Sequence, residues 1–391
     1  MKPLDGLTIL DLSRVLVCLF VLMVLAELGA RVIKVEQPGS GDETRTFEPQ
    51  LAKDSAYYFA CNRSKESITV NLRSDEGKKI VRELAARADV VVENFPVGTL
   101  GKYALDFASL SALNEKLIYV SCTGFGQTGP YAEKKGYDTV FQAMGGLMSL
   151  TGEKGGGPVK PGLPVADLTS GLWVAIAILA ALAGRARTNK GCHVDFSMLD
   201  GQVSLLTLAA ARFFALGEVP PRLGTEHPGR VPSATFRCRD GKYAHITASD
   251  QHWVPLCKAL DIEDWGKDFP ENSIRVERRD EVMRMLTGKI SEMERSKLLS
   301  VLDEADVPVG PVNYVAEILR DPHVRARRLV GSFDYPGVGE FKALSLPYRF
   351  LGWDPPEIGR PPTLGEHTEQ ILASLNYSKE EIEKLREKRA I

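Results

Sequence analysis

The chain has 391 residues, 44% of them hydrophobic and 26% charged, which is too long for one ordinary core and makes two domains the natural expectation. Lys plus Arg at 49 against Asp plus Glu at 51 leaves a net charge of -2, removing the broad basic field that nucleic acid or an anionic membrane would attract. Six scattered cysteines without a C-x-x-C pair, and six histidines without ligand spacing, encode neither a zinc site nor a disulfide framework and point to a reduced, cytoplasmic setting.

Short β-branched runs then alternate with helical patterns: strand 7–12, helix 15–28, strand 31–35, strand 68–72, helix 78–87, and strands 90–93 and 117–121. This is α/β grammar, predicting a parallel sheet with helices packed on it. Residues 15–26 are as apolar as a signal-peptide core, but they are too few to span a bilayer and follow a strand rather than a basic leader, so they read as a core helix. Residues 172–182 are almost wholly apolar, so a helix there is expected to lie buried on every side. Gly191, after the cationic stretch 185–190, closes that helix. Past Gly217 the texture turns proline-rich, and a strand pair at 234–237 and 242–247, joined by the hairpin turn Arg239-Asp240-Gly241, opens a second domain. Helices at 251–260, 279–290 and 293–305 follow. A strand-rich piece, proline pairs at Pro355-Pro356 and Pro361-Pro362 and a charged helix at 378–388 come last. The expected division is 1–216, 217–320 and 321–391, the third segment returning to the first domain.

Polar clusters fall at strand ends in the first domain, where an open parallel sheet forms its ligand crevice. Glu93-Asn94-Phe95 is one and the glycine-rich run 121–130 another. Gly124-Phe125-Gly126 lacks the further helix-opening glycine of a dinucleotide fingerprint, and turn formation explains it equally well. Arg14, Arg45, Arg63, Lys65, Arg73, Lys102, Lys134 and Lys135 each read singly as solvated charges. Jointly, several could meet phosphate oxygens without a Walker motif. Tyr137-Asp138 brings a hydroxyl and a second carboxylate, with Tyr137 open to a half-buried structural role. No Gly-x-Ser-x-Gly elbow or triad order is present, so a carboxylate remains as candidate nucleophile. Asp167 stands directly before the apolar helix. On the residues alone it is either an N-cap or a carboxylate kept ionised by the helix dipole at the floor of a cleft.

Taken in order, Leu4-Asp5-Gly6-Leu7-Thr8-Ile9-Leu10-Asp11-Leu12-Ser13-Arg14-Val15, Leu28-Gly29-Ala30-Arg31-Val32-Ile33-Lys34-Val35-Glu36, Gly41-Asp42-Glu43-Thr44-Arg45, Asn62-Arg63-Ser64-Lys65, Val92-Glu93-Asn94-Phe95, Gly124 to Pro130, Gly136-Tyr137-Asp138, the Asp167 segment and Arg275-Val276-Glu277-Arg278-Arg279-Asp280 resemble the family III CoA-transferases. Formyl-CoA and carnitine CoA-transferases belong there, and alpha-methylacyl-CoA racemase is a relative. The resemblance spans nearly the whole chain. It implies a Rossmann-like large domain with a parallel sheet, a smaller α+β domain, and an interlocked homodimer. It places the catalytic carboxylate at Asp167 and contacts to coenzyme A at Arg73, Asn94, Phe95, Lys102, Lys135, Tyr137 and Met198. Acyl-CoA and a small carboxylic acid are the implied substrates, with no metal or redox cofactor, no nucleic acid and no membrane.

The chain departs from the family pattern at Val17-Cys18-Leu19-Phe20, where relatives carry Ala-Gly-Pro-Phe, so contacts at Leu16 and Val17 are in question. Ala248-Ser249-Asp250-Gln251 stands where a glycine-rich covering loop is expected. The racemase has His at the position of Tyr137, and a neutral phenol is a poor base at neutral pH, which favours transfer over racemisation. A non-catalytic CoA-binding protein is the reading from another class. A dicarboxylate acceptor would be clamped at its far end by Arg45 or Arg63.

Overall fold

The computed structural model describes residues 2–354 and 357–391, so the Pro355-Pro356 link lies outside the described residues. The chain forms two compact units, one of residues 1–147, 161–211 and 324–391, the other of 148–160 and 212–323.

The larger unit is built on six strands: β1 Thr8–Asp11, β2 Arg31–Glu36, β3 Glu66–Thr69, β4 Val90–Glu93, β5 Ile118–Thr123 and β6 Cys192–Ser197. All pair in parallel in the order β3-β2-β1-β4-β5-β6. The order reverses between β1 and β4, and in an open α/β sheet the ligand crevice lies at that reversal, beyond the carboxyl ends of the strands. Both faces of the sheet's centre are covered, so β1, β4 and β5 are buried along nearly their whole length rather than at alternate residues. Ile9, Val90, Val92, Ile118 and Val120 face one core, which holds α1 Val17–Glu27. Leu10, Val91 and Tyr119 face the other, with α3 Asp75–Arg87 and residues 371–390. Ser74 caps α3 by accepting from the Gly77 amide, and Asp75 and Glu76 sit in its first turn, where carboxylates complement the helix dipole. The antiparallel strands Val330–Tyr335 and Gly339–Leu344 pack Phe333 and Tyr335 on Tyr58 and Phe59 of α2, Ala56–Cys61.

Three further helices matter here: α4 Asp138–Met144, α5 Val165–Thr188 and α6 Met198–Ser204. α5 is not buried on every side, contrary to the expectation from its composition. Ala166, Ser170, Val174 and Ile178 recur every fourth residue and are buried with Gly171, whereas Leu172, Trp173, Ile176 and Leu179 are between 40% and 55% exposed. One stripe packs on α1, and a Cβ at Gly171 would lie 2.8 Å from the Val17 carbonyl oxygen. The helix is long and apolar enough to cross a membrane by length and composition alone.

The smaller unit centres on an antiparallel sheet with Tyr243–Thr247 between Ser233–Arg237 and Val309–Pro311. The helices Asp250–Ala259, Arg279–Ser291 and Arg295–Glu304 close its core around Trp253. Arg275 is wholly buried there, lies over the Trp253 ring and donates to the carbonyls of Val231, Phe269 and Pro270 and to Asp250 Oδ1. Arg275-Val276-Glu277 therefore organises this unit, and Asp250, in the segment aligned with a covering loop, opens a helix and pairs with it. Residues 148–160 belong to this unit as well, which the texture change near 217 gives no sign of. The Gly224 amide donates to the Gly152 carbonyl, and Arg222 donates to the Gly156 carbonyl at 3.0 and 2.8 Å.

Candidate active site

Asp167 is the third residue of α5. Pro164 is the N-cap residue and makes no side-chain capping bond, so Asp167 is not the cap that its position in the sequence suggested. Its own amide is one of the free first-turn donors, and it donates to Asp138 Oδ1 at 3.1 Å. Asp138 opens α4 directly after Tyr137, and its other oxygen accepts from Gln142 Nε2 one turn on, at 2.5 Å. Burial, and after it the charge of Asp138, push the Asp167 carboxyl up to about 7. The helix dipole, worth under about 1 kcal/mol at such a site, does not keep it in the ordinary carboxylate range. Residues of α2 stand nearby: burial first, then Cys61, Asp167 and Asp138, push the Tyr57 phenol up to about 12.

The crevice at the β1/β4 reversal is braced by Asn94. It accepts from the Arg14 amide at 2.8 Å and donates to the Arg14 carbonyl at 2.7 Å. The Arg14 guanidinium lies 4.5 Å above the Phe95 ring. Val15 follows at φ 65, a left-handed conformation unusual for a β-branched residue and held by its surroundings. Beside it opens a cleft of about 660 Å³ whose walls include Arg14, Val35, Leu72, Arg73, Phe95 and Tyr103. A second, smaller cleft of about 370 Å³ lies behind the 96–101 loop, with Glu93, Ser121 and His193 in its wall.

Of the residues expected to touch coenzyme A, Arg73 and Phe95 line the larger cleft and Asn94 braces it. Tyr137 is 79% exposed next to Asp138, more open than a half-buried structural tyrosine. Lys102 and Lys135 are exposed and outside the cleft wall. Met198 is buried in the core cluster with Phe141 and Ala166. Leu16 and Val17 are likewise buried.

Three expected cations are consumed elsewhere. Arg45 is buried against Glu36 and Asp54. Arg63 pairs with Glu27 and donates to the Leu344 carbonyl, and Lys65 pairs with Asp11. Neither Arg45 nor Arg63 is free to clamp a distal carboxylate; a buried guanidinium with paired carboxylates cannot leave them without stranding their charge. Sequence reasoning also missed the bracing of α5 by Gln142 and Gln202, both wholly buried. The spacing of Asp138 and Gln142, four residues apart at a helix start, is the one signal that bears on it. Among the described residues no group of three His, Cys, Asp or Glu side chains is placed to hold a metal ion.

The larger unit thus combines an open α/β sheet, a cleft at its reversal and a partly buried carboxylate at a helix start. Residues 4–368 match the model of CoA-transferase family III, and the chain belongs to that family. It is 38% identical to the succinyl-CoA:glutarate CoA-transferase of Mus musculus, over 98% of this chain and 89% of that protein. With the succinate–glutarate CoA-transferase of Agrobacterium fabrum it shares 39% identity, over 95% and 96%. A crystal structure of a CAIB/BAIF family protein from Brucella suis superimposes with a TM-score of 0.86 at 43% identity, covering 96% of this chain and 99% of that one. The chain is a CoA-transferase of an α/β fold with a large parallel sheet.

Proposed function

We propose that the protein moves coenzyme A between short carboxylic acids through covalent intermediates on Asp167. The carboxylate attacks the donor thioester carbonyl, the C–S bond breaks, and a mixed anhydride and CoA thiolate result. The thiolate then attacks the aspartyl carbonyl, releasing the donor acid and leaving an aspartyl-CoA thioester. The acceptor carboxylate repeats both steps in reverse order. Backbone N–H groups near the start of α5 would stabilise each oxyanion, and the energy of the thioester is conserved throughout.

The observation that carries this reading is Asp167 itself, a carboxyl pushed up to about 7 by burial and by Asp138, and fixed by its amide. A more basic carboxylate is a better nucleophile, and near neutral pH much of it is still ionised. We assign coenzyme A to the cleft of the Rossmann-like sheet, with Arg73 and Phe95 at its wall and Asn94 bracing it. Lys102, Lys135, Tyr137 and Met198 are the further contacts implied by the family. The names of the relatives support short dicarboxylates such as succinate and glutarate as the acids. The exposed stripe of α5 supports a homodimer in which a second copy covers Leu172, Trp173, Ile176 and Leu179, and we place the enzyme in a reducing cytoplasm, its six cysteines being free.

The test is exchange. Succinyl-CoA with labelled glutarate should give labelled glutaryl-CoA. Borohydride during turnover should mark the peptide carrying Asp167, and a 2-methylacyl-CoA in deuterated buffer should gain no α-deuterium. Rapid deuterium uptake lost in Tyr137→Phe, with nothing trapped on Asp167, would establish a racemase instead.

A further inference from the structure

We propose that Gln142 and Gln202 are positioning residues for the nucleophile, each holding the first turn of α5 through one intermediary; the proposal rests on Asp167 being that nucleophile. α5 has no side-chain cap. Its first turn is instead held from two other helices. On one side the chain of bonds runs from Gln142 Nε2 to Asp138 Oδ2, and from the Asp167 amide to Asp138 Oδ1. On the other side Gln202 Nε2, from α6, donates to Thr169 Oγ1 at 3.0 Å, and the Thr169 hydroxyl donates to the Val165 carbonyl at 2.7 Å. Asp167 is itself the first point of attachment, and it lies between Val165 and Thr169, the two residues of the second.

Both amides are fully buried, and the Oε1 atom of each has no hydrogen-bond partner among the described residues. A buried acceptor left unpaired costs roughly 1–3 kcal/mol, so an apolar side chain of the same size would serve packing better. The chain also makes room for Gln202: a Cβ at Gly145, just past α4, would fall 2.4 Å from the Gln202 Cβ. What the two glutamines supply is a donor proton in a fixed direction. A nucleophile displaced by about 1 Å can lose on the order of a hundredfold in rate.

The groups facing Asp167 make the pH response interpretable. α4 presents Asp138, and α2 presents Tyr57 and Cys61, whose phenol and thiol are pushed up in part by the negative charge of Asp167. α1 meets α5 at Gly171 through Val17, Phe20 and Val21, none of them titratable, and α6 carries Asp200 on its exposed side. Asp138 is the charge that raises Asp167, and the Gln142 amide is what occupies its second oxygen.

The experiment follows single-turnover loading of Asp167 by succinyl-CoA in the full chain, read by borohydride trapping and peptide mass spectrometry across pH. Gln142→Leu should lower the saturating rate by about tenfold or more while the half-saturating concentration stays within about threefold, because the loss is one of orientation. Its pH midpoint should move to the alkaline side of the wild type, since Asp138 then acts on Asp167 without its donor. Thr169→Val should lose rate similarly, and Thr169→Ser, which keeps the hydroxyl, should restore it to within about threefold. Wild-type rates and midpoint in both Gln142→Leu and Thr169→Val would overturn the proposal. If Gln142→Leu does not fold, equal rates in Thr169→Val and Thr169→Ser overturn it alone. Failure of the wild type to load Asp167 would refute the nucleophile assignment instead.

Discussion

Arg45 and Glu36 are joined twice inside the protein, Nε to Oε2 at 2.8 Å and Nη2 to Oε1 at 2.7 Å, and the same guanidinium reaches Asp54 Oδ1 at 2.6 Å. Tyr58 adds its ring at 3.8 Å and its hydroxyl. Removing one partner of such a set strands buried charge, at a cost of about 3–5 kcal/mol. Arg45→Ala should therefore lower the urea midpoint sharply without a selective change in KM for dicarboxylates. Wild-type stability with a raised KM for glutarate alone would restore the clamp that the sequence suggested.

Asp167→Asn should stabilise the protein in alkaline solution. The folded-state carboxyl sits at about 7 against an ordinary 3.8, so between those values the native state holds the proton more tightly than the unfolded chain. Stability conferred by the proton is complete below 3.8 and is lost as pH rises to about 7. Asparagine has no charge to desolvate. The gain at pH 8 should be on the order of 1–3 kcal/mol after allowance for solvent at the partly exposed carboxylate, and should vanish at about pH 4. Chemical denaturation at the two pH values measures it; equal gains at both would contradict the burial of Asp167.

Under the proposed mechanism the same shift governs turnover. Loading of Asp167 requires the ionised form, so kcat should climb through pH 7, following a carboxyl pushed up to about 7. A rate already level at pH 5 would mean that the reacting carboxylate is ordinary, and stopped-flow release of CoA thiol over pH 5 to 9 decides it.

Arg73 is exposed at the rim of the 660 Å³ cleft. A hydrogen bond from such a cation to a phosphate is worth about 1.5–3 kcal/mol. Arg73→Ala should raise KM for acyl-CoA by roughly ten- to a hundredfold with kcat little changed. An unchanged KM would put the nucleotide elsewhere.

Leu172, Trp173, Ile176 and Leu179 line one face of α5. Ile176→Glu should convert a dimer into monomer, or prevent folding of the wild-type assembly, as seen by light scattering. A wild type that is monomeric at micromolar concentration removes the need for a partner on this face.

The alternation of β-branched runs and helices made the parallel sheet legible, because strands covered on both faces show themselves as short apolar runs. Asp167 stands out in the sequence for the same local reason, a lone carboxylate beside an apolar run. Its protonation does not. That depends on Asp138, twenty-nine residues earlier, and on burial, which no local pattern records. The helix carrying Asp167 was misread because composition cannot distinguish a face covered by α1 from one left open. Arg45 and Arg63 failed in the opposite sense: as residues they resemble binding cations, and only the fold brings Glu36, Asp54 and Glu27 to them.

The larger unit is assembled from stretches separated along the chain, and this sets an order on its birth at the ribosome. Ile371, Leu372 and Leu375 close the core beside Ile68, Ile80 and Leu84, and the Asn71 amide donates to the Ala390 carbonyl. At roughly 5–20 residues per second, the sheet through β5 exists for on the order of ten seconds or more before those side chains emerge. Throughout that interval a nascent chain displays part of an apolar sheet face, a surface that holdase chaperones would shield and that neighbouring nascent chains on the same message could find first.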